Sequence, residues 1–211
     1  MIWRWCLVAT GISGTSYLPK EPAVTSILID DDLLLRSLKP DDAAELFHCV
    51  DHNRGHIRRW LNWVDSTTRV EHSLQFIQMS IGWQAQEQGM ALGIFALPER
   101  KLIGCIGMHN WNAEQKRAQI GYWIGSDFEG KGFMFRSALR FVDFLFQRLG
   151  LNKVEMHIVP SNTRSLELAK RLGASVEGHI RQCYLSNGKL EDIIITGILR
   201  EEWMSLHAIK H

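Results

Sequence analysis

The 211-residue sequence is short of several things, and each shortage narrows the field. Its four cysteines, Cys6, Cys49, Cys105 and Cys183, are scattered with no C-x-x-C pair, so it has neither zinc-ligand spacing nor a disulfide framework. They read as reduced thiols of a cytoplasmic protein, and Cys105 and Cys183, each in a strand-like run, read as small buried hydrophobes. An excess of one charge is missing too: 24 Lys and Arg against 23 Asp and Glu leave +1, with no basic block, which argues against nucleic acid or an anionic membrane as partner. No apolar run is long enough to span a bilayer. The early patch from Trp5 to Ile12 is interrupted by Thr10 and Gly11 and makes a poor signal peptide. Residues 1–26, with Pro19 and Pro22 ahead of the first strand pattern, are expected to be an extension or linker.

What is present is enough apolar residue, 45%, for one globular domain with a real core, expected over residues 27–207. "SILIDDDLLLRSLKP" reads as a hairpin turning at Asp30–Asp32. "KPDDAAELFHCVD" reads as a helix with Pro40 and two aspartates in its first turn. "HNRGHIRRWLNWV" reads as a second, short helix, and Val70, Leu74, Ile77, Ile81 and Ala85 recur at helical spacing in a longer one stopped at Gly89. Three strand patterns follow, "MALGIFALP", "KLIGCIGMHNW" and "RAQIGYWIG", as an antiparallel meander. Beyond them come a glycine loop with an apolar helix, the strand "KVEMHIVPSN", the helix "NTRSLELAKRLGA" and a hairpin around Asn187-Gly188. The expected fold is α/β, a mixed, mostly antiparallel twisted sheet of about seven strands flanked by helices.

The loop "GSDFEGKGFM" carries the sharpest signal. Gly125, Gly130 and Lys131 follow the spacing of the G-x-x-x-x-G-K-[ST] phosphate loop, but Gly132 stands where a metal-binding hydroxyl is required. A dinucleotide fingerprint fails as well, since Phe135 takes the place of its third glycine. What survives is a backbone that a ligand can approach and a helix N-terminus whose N–H groups face an anion, a pyrophosphate site without a metal.

Three segments in this order, "QIGYWIGSDFEGKGFM" at 119–134, "VPSNTRSLELAKRLGA" at 159–174 and "YLSNGKLEDIIITGILREEW" at 184–203, resemble the GCN5-related N-acetyltransferases (GNAT), specifically the RimJ/RimL-type ribosomal-protein branch. The resemblance covers about residues 27–205 and implies the GNAT fold, with acetyl-CoA entering a gap between the strand at 120–124 and the next parallel strand. It implies that backbone groups at Trp123 and Ile124 pair with the pantetheine arm, that amides of Glu129, Gly130, Lys131, Gly132, Phe133 and Met134 cradle the pyrophosphate, and that Asn162 contacts the cofactor. Asp127 departs from the polar first position of the motif Q/R-x-x-G-x-G/A, and a role in capping the helix would reconcile it with a phosphate site.

Acetyl transfer to an amine needs a neutral amine, a stabilised oxyanion and a proton for the leaving thiolate. By the resemblance Ser165 is the acid, with Tyr184 the second candidate. The glutamate that relatives carry before I-G-Y-W is Gln119 here, so Glu155, His109 and His157 are the candidate bases through water. His109, Asn110 and Trp60 are expected at the acceptor site, with Trp63, Trp83 and Trp111 near it. The expected activity is acetyl-CoA-dependent N-acetylation, directly in a ternary complex, of a protein N-terminus such as that of a ribosomal protein. The alternatives are a small amine (polyamine or antibiotic) as acceptor, or a catalytically weak CoA-binding regulatory protein. No metal is expected, and an edge-exposed C-terminal hairpin permits a homodimer.

Overall fold

The structure, a computed structural model, describes residues 26–207. The expected N-terminal extension, with Cys6, falls almost wholly outside that range. Among the described residues eight strands, against about seven expected, form a single sheet in the order β1-β2-β3-β4-β5-β6-β8-β7. They are β1 (Ser26–Leu28), β2 (Leu33–Ser37), β3 (Met90–Ala96), β4 (Lys101–Asn112), β5 (Arg117–Ile124), β6 (Lys153–Ile158), β7 (Ser175–Ser186) and β8 (Lys189–Leu199). Every neighbouring pair is antiparallel except β5 and β6, which are parallel.

Helices cover both faces. On one side α4 (Phe133–Gln147), α5 (Thr163–Arg171) and α6 (Arg200–His207) pack through Phe141, Phe146, Leu168 and Trp203 onto alternate residues of β2 to β6. On the other, α1 (Ala43–His52) and α3 (Val70–Ala85) bury Leu46, Val50 and Ile77 against Phe95, Cys105 and Trp123. A strand covered on both faces has no solvent side to alternate toward. That is why the first six residues of β3 are all buried and its sequence reads as a continuous apolar run.

Three local expectations change. The short second helix shrinks to α2 (Arg54–Ile57), followed by a 3-10 turn at Asn62–Ser66, and Arg54 donates to the Val64 and Thr67 carbonyls within this corner. Helix α3 ends at Ala85, ahead of Gly89, because Glu87 already takes a left-handed backbone (φ 54). Cys183 is exposed rather than buried, since β7 is an edge strand and its register slips between Ile180 and Tyr184. The hairpin at Asn187-Gly188 forms as expected, with both residues at positive φ (50 and 79).

Candidate active site

Strands β5 and β6 stay paired for only three residues, Arg117–Gln119 against Lys153–Glu155. From Ile120 onward β5 is bonded to β4 alone, while β6 continues along β8. The sheet therefore opens into a V. A cleft of about 1010 Å³ occupies it, bordered by Ile120–Ile124 on one arm and Met156–Val159 on the other.

The glycine loop closes one end of this cleft. Gly130 and Gly132 both have left-handed backbones (φ 73 and 75), a conformation that costs other residues about 1–2 kcal/mol. Gly132 is the N-cap of α4, and with no side chain of its own it leaves the first-turn N–H groups uncapped. No acidic residue lies in that first turn, so the positive end of the helix dipole is unopposed. Asp127 does not cap α4. It sits in a separate 3-10 turn, with its carboxylate 3.7 Å from His52 Nε2. Glu129 is held by Arg164, whose guanidinium offsets its charge beside the loop, and lies 3.2 Å from His56 Nε2. Lys131 lies 5.2 Å from the Phe128 ring and makes no ion pair among the described residues.

Helix α5 forms the facing wall. Asn162 caps it, accepting a hydrogen bond from the Ser165 N–H at 3.2 Å, and this fixes Ser165 on the first turn at the cleft wall. Tyr184 reaches the cleft from β7 and donates its hydroxyl proton to the Trp60 carbonyl at 3.1 Å. Burial raises its pKa, while a backbone hydrogen bond from Asn62 works the other way. Trp123, Ile124, the loop residues 129–134, Asn162, Ser165, Tyr184 and Trp60 thus all border one cleft, though they span more than 120 positions of sequence.

A row of polar side chains crosses the sheet at the apex of the V. Register places His109 opposite Gln119 and Gln119 opposite Glu155, with His157 two residues further along β6. Glu155 is nearly buried and lies 3.2 Å from both Arg117 and Lys153. Burial works to raise its carboxyl, but those two cations outweigh it and hold the pKa below the ordinary value. It does not border the cleft, nor do His109 and Asn110. Asn110 is exposed, with a left-handed backbone (φ 50), and donates to Gln119 at 3.0 Å. Burial pulls His109 down to about 4, with His157 adding to the effect and Gln119 opposing it. His157 borders the cleft, its Nε2 lies 3.5 Å from Glu155, and burial lowers its pKa despite that carboxylate. Of the three candidate bases, His157 alone combines access to the cleft with a neutral ring at neutral pH.

Tyr122 is among the cleft residues that escaped the sequence reading. Its buried hydroxyl makes no well-formed hydrogen bond among the described residues. Burial pushes its pKa up to about 12, with the neighbouring Ser165 hydroxyl working against the rise. The signal was available: in "IGYWIG" the alternation of a strand sets Tyr122 and Trp123 on opposite faces, so one of them had to face α5.

Among the described residues no group of three or more His, Cys, Asp or Glu is placed to hold a metal ion, and no helix is long and apolar enough to cross a membrane. Known proteins share this architecture. The [ribosomal protein uS5]-alanine N-acetyltransferase of Escherichia coli is 27% identical, over 83% of this chain and 92% of that protein. The spermidine N(1)-acetyltransferase of Vibrio cholerae is 26% identical, over 84% and 98%. The solved structure of RimL, a ribosomal L7/L12 α-N-protein acetyltransferase, in complex with coenzyme A superposes with a TM-score of 0.79 at 22% identity, covering 82% of this chain and 97% of its own. Residues 32–175, well over half of the chain, match the acetyltransferase (GNAT) domain, and the chain belongs to that family as an acetyl-CoA-dependent N-acetyltransferase.

Proposed function

We propose that the acceptor is a protein N-terminal amine of the ribosomal-protein kind, acetylated directly by acetyl-CoA bound in the cleft between β5 and β6, by a unit spanning residues 27–207. The observation that carries the cleft assignment is the parting of β5 from β6 after Gln119 and Glu155, with an uncapped helix N-terminus at its mouth. A pantetheine arm is the width of a strand and carries amides, so it can pair with the free edge of β5 near Trp123 and Ile124 while its pyrophosphate meets the amides of residues 129–134. Acetyl-CoA supplies the activated acyl group. The chain's own residues hold the protons: Ser165 Oγ keeps one for the departing thiolate, with the Tyr122 phenol beside it and Tyr184 on the same cleft, and His157 takes one from the incoming ammonium through water. Glu155 and Asn110 act from behind, Glu155 by fixing His157 and Asn110 by fixing Gln119.

The uS5 and L7/L12 enzymes among the relatives favour a ribosomal N-terminus, and the spermidine enzyme represents the rival acceptor class. The test is thiol release from acetyl-CoA with purified ribosomal proteins and a panel of small amines as acceptors. Turnover confined to protein N-termini supports the proposal. Faster turnover of a polyamine overturns the acceptor, and a melting temperature raised by CoA with no turnover on any amine makes the chain a CoA-binding regulatory protein.

A further inference from the structure

We propose that a second cavity, on the opposite face of the sheet, receives an uncharged apolar segment of a polypeptide acceptor; this rests on the transferase reading above. Between α1, α3 and the centre of the sheet lies a cavity of about 700 Å³, walled by Val50, Trp63, Phe76, Met79, Ile106 and Trp123. Its size is that of a small-molecule or side-chain site. Trp123 belongs to both places. The residue borders the cofactor cleft, and its indole packs 6.3 Å from that of Trp63 on the helix side.

Two properties choose the occupant. First, among the described residues no Asp, Glu, Lys or Arg borders this cavity. A polyamine carries several positive charges whose burial needs carboxylates, so this wall repels it by omission. Second, the wall is not wholly apolar: Ser66, Thr67, His72, Gln75 and Gln78 also border it. Trp63 and Ser73 border the cavity, and their Nε1 and Oγ atoms are buried with no hydrogen-bond partner among the described residues. Ser73 is 2% exposed. Buried donors left unpaired are rare because they are costly, and both here suit a carbonyl oxygen. An apolar side chain flanked by backbone carbonyls supplies what the cavity lacks, and a polypeptide carries that combination at every apolar residue.

The test uses tetrapeptide amides with a free N-terminus, carrying Gly or Leu at the second and third positions in turn, with thiol release from acetyl-CoA as the readout. At one position Leu should raise kcat/KM over Gly by about tenfold or more, the effect of burying one aliphatic side chain. Two variants fill the cavity from different walls, Ser73→Met and Met79→Trp, and whichever keeps the wild-type melting temperature should bring the Leu-to-Gly ratio close to one. Trp63→Phe, which removes one donor, should lower kcat/KM a few-fold for Leu and Gly peptides alike. Equal rates for Leu and Gly in the wild type, a preference that the filling variants leave intact, or spermidine outcompeting every peptide would each overturn the cavity assignment. If no amine is turned over at all, the transferase reading fails instead. Tryptophan fluorescence then judges the cavity separately: a saturable change on adding the acetylated Leu peptide, lost in the filled variant, supports it, and no saturable change refutes it.

Discussion

The two hollows flanking β5 are made from different materials. Among the described residues the cleft on the α5 side is bordered by the glycine-loop backbone, a lysine, three arginines, two histidines, two glutamates and two phenols, and it opens where strand pairing stops. Among the described residues the cavity beneath α1 and α3 is bordered by aromatic and aliphatic side chains together with serine, threonine, glutamine and His72, and by no acid, lysine or arginine. The contrast suggests a division of labour. A carrier that is the same for every member of the family can be met by main chain and charge, and an acceptor that differs between members is read by side-chain shape. Changes in the cleft should then lower all reactions together, and changes that fill the cavity should alter the choice among acceptors.

The largest expected effect is that of Ser165→Ala. It should reduce kcat about a hundredfold for every acceptor while CoA still raises the melting temperature. If Tyr184→Phe and not Ser165→Ala shows that loss, the proton comes from the strand and not from the helix. His157→Gln comes next, at about thirtyfold in kcat/KM. Burial lowers the pKa of His157, so the wild-type rate should hold through neutral pH and fall only as acid protonates the ring below 6.5. In the variant that acid limb should vanish, and its survival would move the base elsewhere. Gly132→Ala puts a Cβ on a backbone at φ 75, with open space around it, so any effect is conformational. We expect about tenfold weaker CoA binding by calorimetry, equivalent to roughly 1–2 kcal/mol, with the preference among acceptors unchanged.

The smallest effect concerns stability. His109 is held near 4 in the folded state, below its ordinary 6.5. Between those values the unfolded chain binds a proton that the folded chain does not, so stability is complete above about pH 6.5 and declines as pH falls toward 4. The loss should be on the order of 1 kcal/mol from pH 7 to 5.5, read as a falling melting temperature. His109→Gln should flatten that slope, and an unchanged slope would assign it to other groups.

How legible this was in the sequence depended on range. The loop at 125–134, the helix at 163–171 and the hairpin at Asn187-Gly188 were readable because their signals, glycine placement and apolar period, are local. The row from His109 through Gln119 to Glu155 was not, because neighbours across strands are set by register, and the register here includes an irregularity between His109 and Asn112. Helix α6 was missed for a related reason: β8 runs into it at Arg200 without an intervening loop, so no breaker residue announces it. Its start is fixed by Glu202, which accepts from the Leu199 N–H at 2.9 Å, and its Trp203 is buried against Phe146. The cavity beneath α3 left no trace in the sequence, because Ser73, Met79 and Trp63 read as ordinary helix and turn residues until a void is found between them.

The parting of β5 and β6 has a thermodynamic side. An unpaired strand edge in the middle of a sheet is a place where the native state is less complete than it could be, and a strand-like ligand completes it. Binding only the folded chain, such a ligand should stabilise it by about 2.7 kcal/mol at a hundred times its Kd and about 4.1 at a thousand times. The lifetime of this chain against unfolding and proteolysis should therefore track the supply of its own acyl donor, making the abundance of the enzyme a gauge of the cofactor pool.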